Sequence, residues 1–305
     1  MSERIYNTVL DTGQPDVDCW PVYAYIRSAC ITPVRNAIFP ILHVPGNHLM
    51  DYIIVGFIAF AAAGLTLFSG FGLGTILLPA MALFFPVEVA VSLTAIVHFL
   101  NNLLKLGLFA RHVVREVLVP FGLTAIPSAF LGAFALIWLA GRESLVVYSI
   151  LGRSYMITPL NVVMAAMMIA FALAELLPRF RNLSFRKNLL PVGGMLSGFF
   201  GGLSGHQGAL RSAFLVRTGL TREQFIGTGV VIACLVDLTR LTTYGNHLSV
   251  IGREEMTMLF AAVVPAALGT FLASRFVRRV TIEAIRITVA VLLFLIAAGL
   301  GAGVI

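Results

Sequence analysis

The sequence predicts an all-α polytopic membrane protein of about eight transmembrane helices in two duplicated four-helix units. Three observations carry this. Of 305 residues, 59% are apolar and only 11% charged, and the mean hydropathy is +0.95. Apolar runs long enough to cross a bilayer recur along the chain, separated by short basic breaks. Residues of the second half repeat those of the first at a nearly constant offset.

A soluble domain carries about a quarter charged residues, so this chain lacks the polar surface to cover a water-facing globule of its length. Its formal net charge of +7 does not point to nucleic acid. The cations sit in the breaks between apolar runs, as in membrane proteins, and form no basic face on a soluble domain. Cys19, Cys30 and Cys234 show neither metal-ligand spacing nor a disulfide framework. No metal, cofactor or catalytic residue is expected. Residues 1–50, with Asp11, Asp16, Asp18 and several prolines, lack the apolar core of a signal peptide. They read as an amphipathic or loosely ordered extension, lying on the membrane surface.

A spanning helix needs about 20 mostly apolar residues. Candidate spans are 52–69 (continuing to 85), 88–109, 118–140, 157–177, 189–204 (continuing to 216), 224–244, 256–274 and 281–303. The first and fifth exceed a normal helix length and are interrupted by glycine. A shift of 135 pairs Gly70 with Gly205, Glu88 with Glu223, Lys105 with Arg240, and His112 with His247. A shift of 137 pairs Ala129, Leu131, Gly132 and Phe134 with Ala266, Leu268, Gly269 and Phe271. This ordered ladder divides the chain into a first repeat at 51–178, a basic linker at 179–187 and a second repeat at 188–305. Counted over loops that alternate sides, Lys and Arg tie at seven against seven, so the positive-inside rule leaves orientation open. Four crossings per repeat would make the halves parallel; an interrupted segment that enters and returns would make them inverted.

The two breaks read Ser69-Gly70-Phe71-Gly72-Leu73-Gly74 and Ser204-Gly205-His206-Gln207-Gly208. Unwound backbone at membrane depth is tolerated where protein or a watery cavity satisfies it, and a helix restarting there points free N–H groups at the cavity. Close helix packing is the competing explanation of such glycines; it accounts well for Gly132 and Gly269. The expected anion-binding set is Gly70, Gly72, Gly74, Asn102, Lys105, Ser204, Gly205, His206, Gln207, Arg211 and Arg240. Lys105 and Arg240 occupy equivalent positions in the second and sixth spans, where a cation is costly unless functional or snorkelling. Asp237 lies one turn before Arg240 and is spaced to pair with it; its counterpart is the neutral Asn102. His98, His206 and Asp237 are the candidates to carry a coupling proton, the structural alternatives being packing histidines and a neutralising ion pair.

In this layout the chain resembles the TauE/SafE family of sulfite and organosulfonate exporters, over residues 50 to 305. The stretch GFGLGTILLPAM is similar to the family's glycine-rich segment ending in a proline, here Pro79. The second half, LSGFFGGLSGHQGALRSAFL, departs from it: His206 and Gln207 stand among the glycines, and no proline follows Arg211. The resemblance implies export of sulfite, sulfoacetate or a related sulfur-containing anion, driven by an ion gradient. The expected setting is a bacterial inner membrane, with a small anion, coupled protons and lipid as partners, and monomer and homodimer both open.

Two other classes compete. The breaks could form the filter of an anion channel. Gly202-Leu203-Ser204-Gly205 is also the G-x-S-G of rhomboid intramembrane proteases, with Ser204 as nucleophile. That reading needs a helix-borne histidine within reach, and the spare downstream histidine, His247, falls in a loop. Ser69-Gly70 repeats the Ser-Gly pair, as a duplicated structural break would.

Overall fold

The structure is a computed structural model that describes residues 49–69, 72–150, 153–177, 184–248, 252–276 and 282–304. The expected N-terminal extension lies outside the described residues but for its last two positions, and Gly70 lies outside them too. The α-helices are α1 (Leu49–Ser69), α2 (Leu73–Ala82), α3 (Val87–Phe109), α4 (Arg115–Ala140), α5 (Pro159–Leu176), α6 (Leu190–Ser204), α7 (Gly208–Leu215), α8 (Arg222–Leu248), α9 (Arg253–Phe276) and α10 (Ile282–Gly301). A two-stranded antiparallel hairpin, β1 (Val146–Ile150) and β2 (Arg153–Ile157), adds to the all-helical expectation. Its Tyr148 and Tyr155 rings stack, and Tyr148 donates to the Ala302 carbonyl beyond α10.

Among the described residues, five helices are long and apolar enough to cross a membrane: Leu49–Leu67, Val87–His112, Arg115–Ala140, Arg222–Gly245 and Glu255–Arg275. Pro159–Ala174 and Val289–Gly301 are shorter apolar segments. The over-long first and fifth segments each resolve into two helices. With 10 residues, α2 is about 15 Å long and cannot cross a hydrocarbon core of about 30 Å. Every residue of α2 is buried, so it is a core element inside the bundle.

Glycine registers give the helix directions. Gly194, Gly198 and Gly202 of α6 face Phe121, Ala125 and Ala129 of α4, so these two helices run parallel. Gly132 in turn sits against the Phe199 carbonyl, a backbone approach that any Cβ would block. Gly56 of α1 faces Ala261 and Gly64 faces Gly269, which makes α1 and α9 parallel as well. By contrast, α3 and α8 are antiparallel: the Phe109 carbonyl lies by Gly227, while His98 meets Asp237.

The second break is a reversal. Gly201 of α6 packs on Gln207, and Gly193 packs on the Phe214 ring of α7, so α7 runs back along α6. Gly205 makes this possible with φ 81, a left-handed conformation that costs an L side chain roughly 1–2 kcal/mol. Helix α2 packs against both α1 and α3, and the short turn at 83–86 joins it to α3.

The largest apolar cluster is built mainly from α1, α2, α3, α5, α9 and α10, with Ala133 and Leu136 of α4, Leu203 of α6 and Tyr244 of α8 joining it. A second, around Phe121, Phe214, Ile232 and Val236, joins α4, α6, α7 and α8. The side chains facing outward are large and apolar, among them Phe57, Leu123, Phe134, Phe260 and Leu295, as a lipid-facing surface requires.

Candidate functional site

The two breaks touch. A Cβ built on Gly72, the residue that caps α2, would stand 3.7 Å from His98 Nε2 and 3.8 Å from the Gly208 amide. One built on Gly74 would stand 3.4 Å from the Gly205 carbonyl. Thr75 closes the first turn of α2 by donating its hydroxyl to the Gly72 carbonyl at 2.9 Å.

Beside this meeting point lies Asp237, fully buried, with both carboxylate oxygens occupied. Oδ2 is 2.7 Å from His98 Nδ1 and accepts the Asn102 amide at 3.2 Å. Oδ1 accepts Gln207 Nε2 at 3.2 Å and Arg240 Nε at 3.1 Å, with Arg240 Nη2 in ion-pair contact at 2.8 Å. Four side chains from two helices and one break thus converge on a single carboxylate, which is how a buried ion is kept charged. Arg240 packs over Gly205, and its Nη1 finds no hydrogen-bond acceptor among the described residues.

Next to Asp237 opens a small cleft, lined by Thr66, Leu67, Gly72, His98, Asn102, Lys105, Arg211, Phe225, Ile226, Gly229 and Val230. Lys105 is 5% exposed and makes no hydrogen bond or ion pair among the described residues. Arg211 reaches the same cavity and holds one neutral partner there, Gln207 Oε1 at 3.3 Å. No carboxylate is among the lining residues, because Asp237 is turned away into its own cluster. Two cations therefore face one cleft without a counter-ion on its wall.

Of the residues expected from sequence, Gly72, Asn102, Lys105, Arg211 and His98 line this cavity. Gln207 and Arg240 stand behind it on Asp237. Gly74 is inside α2 against Gly205. Ser204 and His206 form a separate pair: His206 Nδ1 is 3.0 Å from Ser204 Oγ, which itself donates to the Phe200 carbonyl at 3.1 Å. With its one proton so placed, Ser204 accepts from His206, the reverse of a nucleophile and its base. The His206 ring stacks on Phe171, 5.1 Å between centroids. The Asp237–Arg240 pair expected from one-turn spacing is formed.

Sequence reasoning missed Ile226, Gly229 and Val230. They lie on the helix face of Asp237, two to three turns earlier, so the face was readable once Asp237 was singled out. It also missed Thr66 and Leu67 at the end of α1, and Ser197, which donates to the Gln207 carbonyl at 3.1 Å and braces the second break. None of these carries a charge inside an apolar run, the signal that found Lys105 and Arg240.

A bundle of apolar-surfaced helices around a buried ionic cluster and a cationic cleft defines a polytopic membrane protein with a polar centre. Residues 52–300 match the family described as sulfite exporter TauE/SafE, and the chain belongs to that family, one of membrane transporters. No curated protein and no solved structure matches it.

Proposed function

We propose that the protein is a secondary active exporter of a small sulfur-containing anion, sulfite or an organosulfonate such as sulfoacetate, resident in a bacterial inner membrane. The anion sits in the cleft where Lys105 and Arg211 converge, with Asn102 and the backbone around Gly72 as further donors. The observation that carries this reading is the pair of buried cations facing one cleft that holds no carboxylate on its wall. Such a pair is costly unless an anion completes it.

The chain is read as an inverted duplication, 51–178 and 188–305 joined by 179–187. Helices α3 and α8, equivalent in the ladder, are antiparallel, which sets a pseudo-two-fold axis across the helices. The packing partners α1 with α9 and α4 with α6 exchange under the same operation.

This topology also supports an orientation. The ends at 109–115, 177–190, 215–222 and 276 share one membrane side. Among described residues that side carries Arg111, Arg115, Arg186, Lys187, Arg217, Arg222 and Arg275, against Arg142, Arg153 and Arg253 on the other. Seven against three favours the first side as cytoplasmic. The cleft, between the C-terminal part of α3 and the N-terminal part of α8, lies toward that side, as loading for export requires.

His98 joins the cleft to Asp237, with Nδ1 on the carboxylate and Nε2 toward Gly72. It is the group we assign to the coupling proton. The test is sulfite flux through the full chain in proteoliposomes, with and without an imposed pH gradient. Saturable, gradient-dependent flux supports the reading; no flux of sulfite, nor of sulfoacetate in the same assay, overturns it, and non-saturable flux favours a channel.

A further inference from the structure

Resting on the site proposed above, we infer that the cleft selects divalent oxyanions and rejects sulfonates that carry an ammonium group. The argument is a charge count. Lys105 and Arg211 each bring one positive charge to the wall, and neither has an anionic partner within the cleft. The nearby carboxylate of Asp237, the single one beside the cleft among the described residues, has its oxygens taken by His98, Asn102, Gln207 and Arg240, and its charge is matched by Arg240. Leu67, Phe225, Ile226 and Val230 add apolar wall beside the polar Thr66, His98 and Asn102, and Lys105 and Arg211 are themselves only 5% and 9% exposed, so little water screens the two cations from each other.

A monovalent anion in this cleft leaves one buried cation uncompensated; a divalent anion neutralises both. In a poorly screened site the second charge is worth more than in water, because each uncompensated buried ion keeps its desolvation cost. An aminosulfonate brings one negative charge and one ammonium into a wall that already holds two cations and offers no free carboxylate. It meets repulsion with no partner for its positive end, the form of discrimination that acts by leaving a charge unpaired. The substrate class is therefore defined by net charge and by the absence of an amine, ahead of the identity of the sulfur group.

The experiment is isothermal titration of the full chain in detergent with sodium sulfate, thiosulfate, methanesulfonate and taurine at constant ionic strength. The divalent anions should bind at least about tenfold tighter than methanesulfonate, and taurine should give no binding. Lys105→Met and Arg211→Met should each bring sulfate and methanesulfonate to within about threefold, since one cation then remains. Methanesulfonate binding as tightly as sulfate in the parent protein, or taurine binding at all, overturns the inference while leaving the site standing. Absence of binding by every anion overturns the site and the inference together. The parent panel decides the matter even if a variant does not fold.

Discussion

Asn102 and Asp237, separated by 135 residues, touch: the Asn102 amide donates to Asp237 Oδ2 at 3.2 Å. These are corresponding positions in the ladder that relates the two halves. Their contact puts the pseudo-axis of the proposed duplication between their side chains, at the centre of the bundle. An axis there would force two identical residues to face each other, and two aspartates would repel. Amide against carboxylate replaces that repulsion with a hydrogen bond.

Asp237→Asn should destabilise the protein by about 3–5 kcal/mol, because it leaves Arg240 buried without a counter-ion. Thermal unfolding in detergent measures this. Adding Arg240→Met should restore most of the loss; a double variant no more stable than the single would show that the pair does not set the cost.

Lys105 and Arg240, equivalent in sequence, should behave oppositely when replaced by Met. Lys105 has no ion-pair partner among the described residues, so Lys105→Met should hold or raise thermal stability while weakening anion binding. Arg240→Met uncovers Asp237 and should lower stability by about 3 kcal/mol or more. Equal melting temperatures for the two variants would contradict the assignment.

His98→Asn keeps an amide nitrogen near the place of ring Nδ1, and so keeps the hydrogen bond to Asp237 while removing the titratable ring. If His98 carries the coupling proton, sulfite flux in this variant should lose its response to an imposed pH gradient. The parent should keep it. A variant that still follows the gradient removes His98 from coupling and returns the role to the other groups.

Gly205→Ala should cost about 1–2 kcal/mol from its left-handed backbone, and more because its Cβ would stand 2.7 Å from Arg240 Nη1. Gly219→Ala is the control, with φ 77 and nothing within 4 Å of an added Cβ. Unfolding midpoints should fall further for Gly205→Ala; equal shifts would mean that Arg240 yields freely.

In a background with Cys19, Cys30 and Cys234 replaced by Ser, Ser149→Cys and Arg217→Cys should lie on opposite membrane sides. Both positions are exposed. A membrane-impermeant maleimide added to intact cells should label Ser149→Cys and spare Arg217→Cys. The reverse pattern would invert the orientation, and labelling of both would remove the basis for it.

The sequence by itself determined the solvent, the helical class and the polar residues that matter. Low charge and long apolar runs leave lipid as the surrounding medium, and a cation or carboxylate inside such a run marks itself by its cost. Lys105, Asp237, Arg240 and Arg211 were legible for that reason, and the Asp237–Arg240 pair followed from one turn of helix. The tertiary structure alone decided which cations share a cleft. Lys105 and Arg211 come from α3 and α7, and periodicity within either element says nothing about distance between them. It also decided direction: whether α7 continues or reverses α6 depends on the φ of Gly205 and on what the returning helix packs against, neither of which hydropathy encodes. On the proposed topology, in which α2 and α7 turn back, the basic residues among those described no longer tie.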